Sequence, residues 1–422
     1  MDNLTHTLVG AIAGEVAARW TRPVPGGLAP GPRRALLVTL GAVGASLPDI
    51  DVLWTLEALT GDKLDYMVHH RGHTHTLLGC LLLAWLLRGA GLLWARWRGH
   101  TPAPADRRTI GLLSVSTLLL HLAFDALNNY GIHPFWPFDN RWYYGDAAFI
   151  IEPLFWLASL PLLFLLHSHW ARGLLVFAIL AAAVLVMVLN RADLLHVASV
   201  LGAAALLALL AWRLAPRWRA VLAAGAVLCL AGGLLLQARA VARDARAEVA
   251  ARFPLAQLHD VVHTPDPTQP RCASLLLVMQ DGEDYVVHRA RHVAAGATAA
   301  GRCPDLDAGA ATTARWVMRP LPDSAQLLWQ GEYRLPLATL RDIARACRGR
   351  RFLQFARVPF VQDDADGRRA GDLRFDREAG PGFTELSLPL QPPASCDSPS
   401  VLAAPWQPPL LPLLTSPRGP SR

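Results

Sequence analysis

Long apolar runs alternate with short loops through the first part of the chain, at residues 76–95, 109–127, 148–168, 171–190, 194–212 and 219–238. Most approach the roughly 20 residues that an α-helix needs to cross a hydrocarbon core. Two shorter apolar segments precede them. Residues 1–20 carry small side chains at Gly10, Ala13, Gly14 and Ala17, and residues 35–47 run straight into Pro48. The pattern predicts a mainly α fold, a polytopic membrane bundle of about seven to eight helices. Past residue 245 the period shortens. Segments 274–280, 284–290, 316–321, 326–337 and 351–362 read as strands joined by Gly, Asp and Pro turns, with a helix at 337–348. The expected division is a membrane helical domain (1–155), further transmembrane helices (156–240), a small β-rich soluble domain (245–390) and a Pro/Ser-rich disordered tail (391–422).

Composition supports the membrane reading: 53% of the 422 residues are hydrophobic and the mean hydropathy is +0.27. A net charge of +7 would suit nucleic acid, but the basic residues are nearly all Arg scattered between apolar runs, without a basic stripe or interleaved aromatics. They sort by loop instead. Four Arg lie in 19–34 and four in 96–108, followed by Arg172, Arg213, Arg217 and Arg219, against Lys63, Arg71, Arg141 and Arg191 in the alternate loops. By the positive-inside rule the first set faces the cytoplasm. Alternating the crossings then carries residues 245–422 to the outer side, although Arg239, Arg243 and Arg246 run against that assignment.

The chemistry concentrates between Pro48 and Gly79. Asp49 and Asp51 stand two residues apart, and His69, His70, His73 and His75 follow within seven positions, both groups abutting apolar segments where ionisable side chains are expensive unless paired or metal-bound. His121 and Asp125, four residues apart, share one face of a helix and converge on a common point. His6 begins the first segment. Threaded alternately through a bilayer, all of these residues arrive at the same membrane face. Carboxylate and imidazole together suit Zn²⁺ first, with Mn²⁺ or Fe²⁺ as alternatives. A structural reading competes: Asp49 as a helix-ending residue at a Pro-Asp turn, and His121 with Asp125 as a hydrogen-bonded pair. Beyond residue 127 comes a loop rich in Trp and Tyr, with Asp139, Asp146 and Glu152 on or beside it as further candidate ligands or bases.

The set Asn3-Leu-Thr-His6-Thr, Pro48-Asp-Ile-Asp51, His70-Arg-Gly-His-Thr-His75 and His121 with Asp125 resembles the YdjM-type bacterial inner-membrane proteins, described as membrane-bound metal-dependent hydrolases. The resemblance covers roughly residues 1–155. It implies an inner-membrane location and a polar core of His6, Asp49, Asp51, His70, His75, His121 and Asp125 as metal ligands, with Asp49, His75 and Asp125 as the catalytic residues. His69 and His73 fall at positions the motif does not fix. The reaction expected is attack of a metal-activated water on an ester or phosphoester, with a phospholipid or other lipid-linked molecule as substrate and no nucleic-acid partner. Arg71 is placed to hold a phosphate oxygen or to pair with Asp49, Asp51 or Asp65. The alternatives are a non-enzymatic membrane protein with a structural metal knot, or an ion-coupled transporter. A transporter, however, should carry its polar residues through the helix centres.

Six cysteines lack CxxC spacing, which argues against a cysteine zinc site. Four lie in the polar C-terminal third. On the outer side they are expected to pair by shortest loop, Cys272 with Cys303 and Cys347 with Cys396.

Overall fold

The structure, a computed structural model, describes residues 1–55, 62–293, 303, 321–324, 326–364, 367–376, 382–388 and 404–415. Among them run seven helices of 15 residues or more: α1 (Asn3–Trp20), α2 (Pro30–Gly44), α3 (Leu77–Trp97), α4 (Pro104–Asp125), α5 (His169–Leu189), α6 (Leu194–Arg213) and α7 (Pro216–Arg252). Asp2 caps α1 by accepting from the Thr5 N–H. Pro30, Pro104 and Pro216 each open a helix, where their missing N–H is not needed.

α1 and α2 approach at backbone contact because Gly10, Gly14 and Gly41 line the crossing. A Cβ on Gly10 would lie 2.1 Å from the Gly41 carbonyl oxygen, and one on Gly14 would lie 2.5 Å from that of Leu37. Small residues spaced four apart permit such packing. At the far end, buried Arg33 of α2 pairs with Asp106 of α4 at 2.9 Å, which fixes where α4 starts and therefore where His121 and Asp125 end up, four turns later.

Four helices, α3, α5, α6 and α7, are long and apolar enough to cross a membrane, and only 11–22% of their apolar windows is buried inside the chain. Large side chains such as Leu174, Phe177 and Leu189 face outward, a surface suited to lipid rather than water. The expectation of seven to eight crossings is coarser in the molecule. At 15 residues α2 rises only about 22 Å. The run 148–168 is no single helix but two short ones, Pro153–Ala158 and Leu160–Leu163. Pro161 is the physical reason, since its ring removes a donor and clashes with the preceding turn.

The 37 residues of α7 extend past any bilayer span and become a stalk. Against it packs an antiparallel meander, β1 (Gln257–Asp266), β2 (Gln269–Asp281), β3 (Asp284–Val293) and β4 (Leu327–Pro336), in that order. Alternation decides which side chain goes where. Leu275, Leu277 and Met279 cluster with Val241, Ala245 and Val249 of the stalk. Leu276 and Val278 join Tyr285, Phe352, Phe355 and Trp406 in a second core. A smaller sheet follows, β5 (Pro359–Asp364), β6 (Gly367–Asp372) and β7 (Leu386–Leu388).

Two C-terminal expectations change, and a third lies almost wholly outside the described residues. The segment 351–362 is only half strand: Cys347–Phe355 is a helix burying Phe352 and Phe355 three residues apart on one face, and the strand begins at Pro359, before which a helical residue is disfavoured. The strand expected at 316–321 falls almost wholly outside the described residues. Of the tail expected to be disordered, residues 404–415 are packed, with Trp406 1% exposed and its indole N–H donating to the Val68 carbonyl at 2.7 Å. Cys272 is bonded to Cys303. The second expected pair involves Cys396, outside the described residues; the free thiols among those described are Cys80 and Cys229.

The β-rich part sits on the end of the bundle that carries the Asp and His motifs. Arg374 donates to the Asn129 carbonyl at 2.6 Å, Arg357 grips Asp146 at 2.7 and 2.8 Å, and the Trp142 indole donates to the Gln354 carbonyl at 2.7 Å.

Candidate metal centre

Each candidate ligand is set by a chain end or a tight turn. α2 stops at Gly44, and a 3₁₀ turn, Leu47–Asp51, with Pro48 in its first turn, projects Asp49 and Asp51. The other side comes from the loop after the short helix Lys63–His69, where Arg71 takes a left-handed φ of 61° and a second 3₁₀ turn, His73–His75, delivers His75. Thr76 ends that turn and caps α3 by accepting from the Gly79 N–H at 2.9 Å. The last turn of α4 supplies His121 and Asp125 on one face.

Four side chains, Asp49, His75, His121 and Asp125, bring one ligand atom each to within 4.8 Å of one another. The two imidazole Nε2 atoms face each other at 3.0 Å. His75 Nε2 lies 3.3 Å from Asp49 Oδ1 and 3.2 Å from Asp125 Oδ2. Which protons sit there follows from the far side of each ring. His121 Nδ1 is 2.6 Å from the Ala45 carbonyl, a group that can only accept, so Nδ1 carries the proton and Nε2 the lone pair. His75 Nδ1 faces Asp51 Oδ2 at 3.2 Å, so it too presents a bare Nε2 when neutral. The centre is thus a nest of acceptors: two lone pairs and two carboxylate oxygens. Asp125 Oδ2 is buried and makes no hydrogen bond; Arg71 Nε stands 3.0 Å away but out of line. Such a cluster is stable only around a positive charge. Two N and two O donors whose imidazoles are held from behind by a carboxylate and a carbonyl fit a divalent transition metal.

The same demand for a cation shows in the titration of the loop residues. Burial opposes charge on His75, but the Asp51 charge and the carboxylates of Asp125 and Asp49 close beside the ring outweigh it and hold the ring well above its ordinary range. Burial pushes Asp49 up, yet His75 and His121 beside it bring it down to about 2. Burial lowers His70 despite its bond to Asp51.

The remaining expected ligands separate into two kinds. Asp49, Asp51 and His70 form a second group of suitable spacing, but Asp51 is already engaged at both oxygens. Its Oδ1 meets His70 Nδ1 at 2.8 Å, and its Oδ2 accepts from the Arg71 N–H at 2.9 Å and the Thr74 hydroxyl at 2.8 Å. His6 stands outside both groups. It stacks on His121 with ring centroids 3.9 Å apart and reaches Asp125 Oδ1 at 3.1 Å, beside the Met1 amino group. His73 lies between Trp136 and Trp406, and His69 is in neither group. Asp139, Asp146 and Glu152 are elsewhere, bound to Arg141, Arg357 and the Thr268 N–H.

The Ala45 carbonyl and Thr74 escape a reading of side-chain types, since any residue supplies a carbonyl. The Arg71 backbone turn, too, leaves no compositional sign. Arg71 itself is buried and donates to Asn128 Oδ1 at 2.9 Å.

No curated protein and no solved structure matches the chain significantly. The family model described as YdjM inner membrane protein matches residues 1–194, the portion of the chain that carries all of these Asp and His residues, so over that portion the chain is similar to the YdjM family.

Proposed function

We infer that the protein is a membrane-embedded, metal-dependent hydrolase. The observation that carries this reading is the cluster of four acceptor atoms at Asp49, His75, His121 and Asp125. A divalent ion bound there, Zn²⁺ first among the candidates, would lower the pKa of a water and polarise an ester or phosphoester. The residues have separable tasks. His75 and His121 offer Nε2 because Asp51 and the Ala45 carbonyl hold their Nδ1 protons. Asp49 is 14% exposed at its side chain, whereas the other three are at 0%. It therefore stands on the solvent side and is the group to accept a proton from an incoming water. Arg71 offsets the charge of Asp125 and keeps its carboxylate turned inward. The site lies at one end of the membrane bundle, which favours a lipid headgroup or other lipid-linked ester as substrate. The Arg distribution favours the periplasmic side of a bacterial inner membrane for that end and the β-rich domain, with Arg239, Arg243 and Arg246 running against it.

Burial of three of the four ligands favours one rival, a closed structural metal site. Turnover separates the two. Purified full-length protein loaded with Zn²⁺ or Mn²⁺ is expected to cleave a member of a phospholipid and phosphoprenol panel. Asp49→Asn should lower kcat by about 100-fold or more without lowering the unfolding temperature comparably. Absence of turnover from metal-loaded protein across that panel supports the structural site.

A further inference from the structure

Arg88 occupies an unusual place for a charge. It is exposed on α3, about 16 Å along the helix from Leu77, on a segment long and apolar enough to cross the membrane. An unpaired guanidinium at that depth is costly. Its side chain lies across Gly111 of α4, where an added Cβ would meet Arg88 Cδ at 3.2 Å, and so points towards the first turn of α4. There Arg107 and Arg108 are exposed as well. Among the described residues no carboxylate pairs with any of the three; the nearby Asp106 is taken by Arg33. These arginines line one side of a groove of about 600 Å³ between α3 and α4. Its other walls include Leu81, Trp85 and Leu112, each at least half exposed.

We propose that this groove is a binding site for an anionic phospholipid, at the membrane face opposite the metal centre. The phosphodiester sits among Arg88, Arg107 and Arg108, and an acyl chain lies along Leu81, Trp85 and Leu112. Charge complementarity chooses the occupant. Three cations without a carboxylate partner, of which Arg107 donates only its Nε to the Pro102 carbonyl at 3.0 Å, require an anion, and guanidinium binds phosphate oxygens through paired N–H bonds. The apolar wall continuing away from them requires that the anion carry a hydrocarbon tail. A soluble phosphate satisfies only the first demand. Arg88 then reaches the headgroup region by extending along its own apolar stem, and Gly111 leaves room for it to do so. The site is independent of any catalysis at the metal centre.

Trp85 supplies the probe. Full-length protein in mixed micelles is titrated with phosphatidylglycerol carrying brominated chains, or with brominated phosphatidylcholine, and the quenching lost in a Trp85→Phe chain is assigned to the groove. Phosphatidylglycerol is expected to quench at about tenfold lower concentration than phosphatidylcholine. Arg88→Gln, Arg107→Gln and Arg108→Gln together should bring the two lipids to parity. The double change Arg107→Gln with Arg108→Gln alters only the first turn of α4 and should remove most of the preference should the triple variant fail to fold. Inorganic phosphate at matched ionic strength should not displace the lipid. Equal quenching by both lipids in the unaltered protein, a preference that survives the arginine changes, or displacement by inorganic phosphate would each overturn the site.

Discussion

Asp51 shows how a carboxylate can shape a candidate metal site without being the obvious ligand. Its oxygens are occupied by His70, the Arg71 N–H and Thr74, and it also faces His75 Nδ1. Through that last contact it sets the tautomer of a ring that offers Nε2 to the centre. Asp51→Asn should therefore weaken metal affinity by about 10- to 100-fold rather than abolish binding; competition against a chelating dye measures it, and complete loss of metal would make Asp51 a ligand instead. His133 is the other residue with a distinct signature. It is wholly buried, stacks on Trp406 at 3.7 Å, and burial brings its pKa from 6.5 down to about 3. Because the folded value lies below the unfolded one, the unfolded chain gains more protons as pH falls. Stability is complete above pH 6.5 and is lost progressively towards pH 3. The effect is on the order of a few kcal/mol. His133→Phe should keep the stack but flatten the fall in unfolding temperature between pH 6.5 and 4, and an unchanged slope would assign that fall to other groups. At this scale the His and Asp types were legible because they are out of place beside apolar runs. The contacts that rank them were not, since they depend on a carbonyl, a hydroxyl and a left-handed turn.

Among the elements, the α1–α2 crossing carries the site, because it fixes His6 of one helix against the residues that follow the other. Gly10 admits no Cβ: the obstacle is the Gly41 backbone, which cannot rotate aside. Gly10→Ala should cost about 2 kcal/mol or more and lower metal occupancy together with the unfolding temperature. Gly89→Ala on α3, with open space around it, serves as the control and should be neutral or slightly stabilising. An unaltered unfolding temperature in Gly10→Ala would mean that the two helices are not in backbone contact. The small residues of α1 were visible in sequence, as were the alternating runs of β2 and β3. The helix Cys347–Phe355 was not, because a short, largely apolar run such as Phe352 to Val361 suits a buried strand nearly as well as a helix until Pro359 is weighed. The break at Pro161 was masked by the apolar character of everything around it.

At the scale of the whole molecule, the β-rich domain rests on the stalk of α7 and on the end of the bundle that carries the candidate metal site. None of the described residues of the C-terminal third joins the acceptor cluster. It nevertheless covers the site: Arg374 and Arg357 fasten it to the loop after α4, and Trp406 packs against His73 and His133. Those contacts join residues more than 200 positions apart, which no local pattern could reveal. Asp49, His75, His121 and Asp125 are proposed to hold a transition metal together. Elemental analysis of detergent-purified full-length protein, dialysed against a weak chelator, tests it most directly, alongside the double variant Asp49→Ala with His75→Ala. About one equivalent of a divalent transition metal per chain is expected in the unaltered protein and almost none in a variant that remains folded by circular dichroism. Metal retained at the same stoichiometry in the folded double variant would contradict the site.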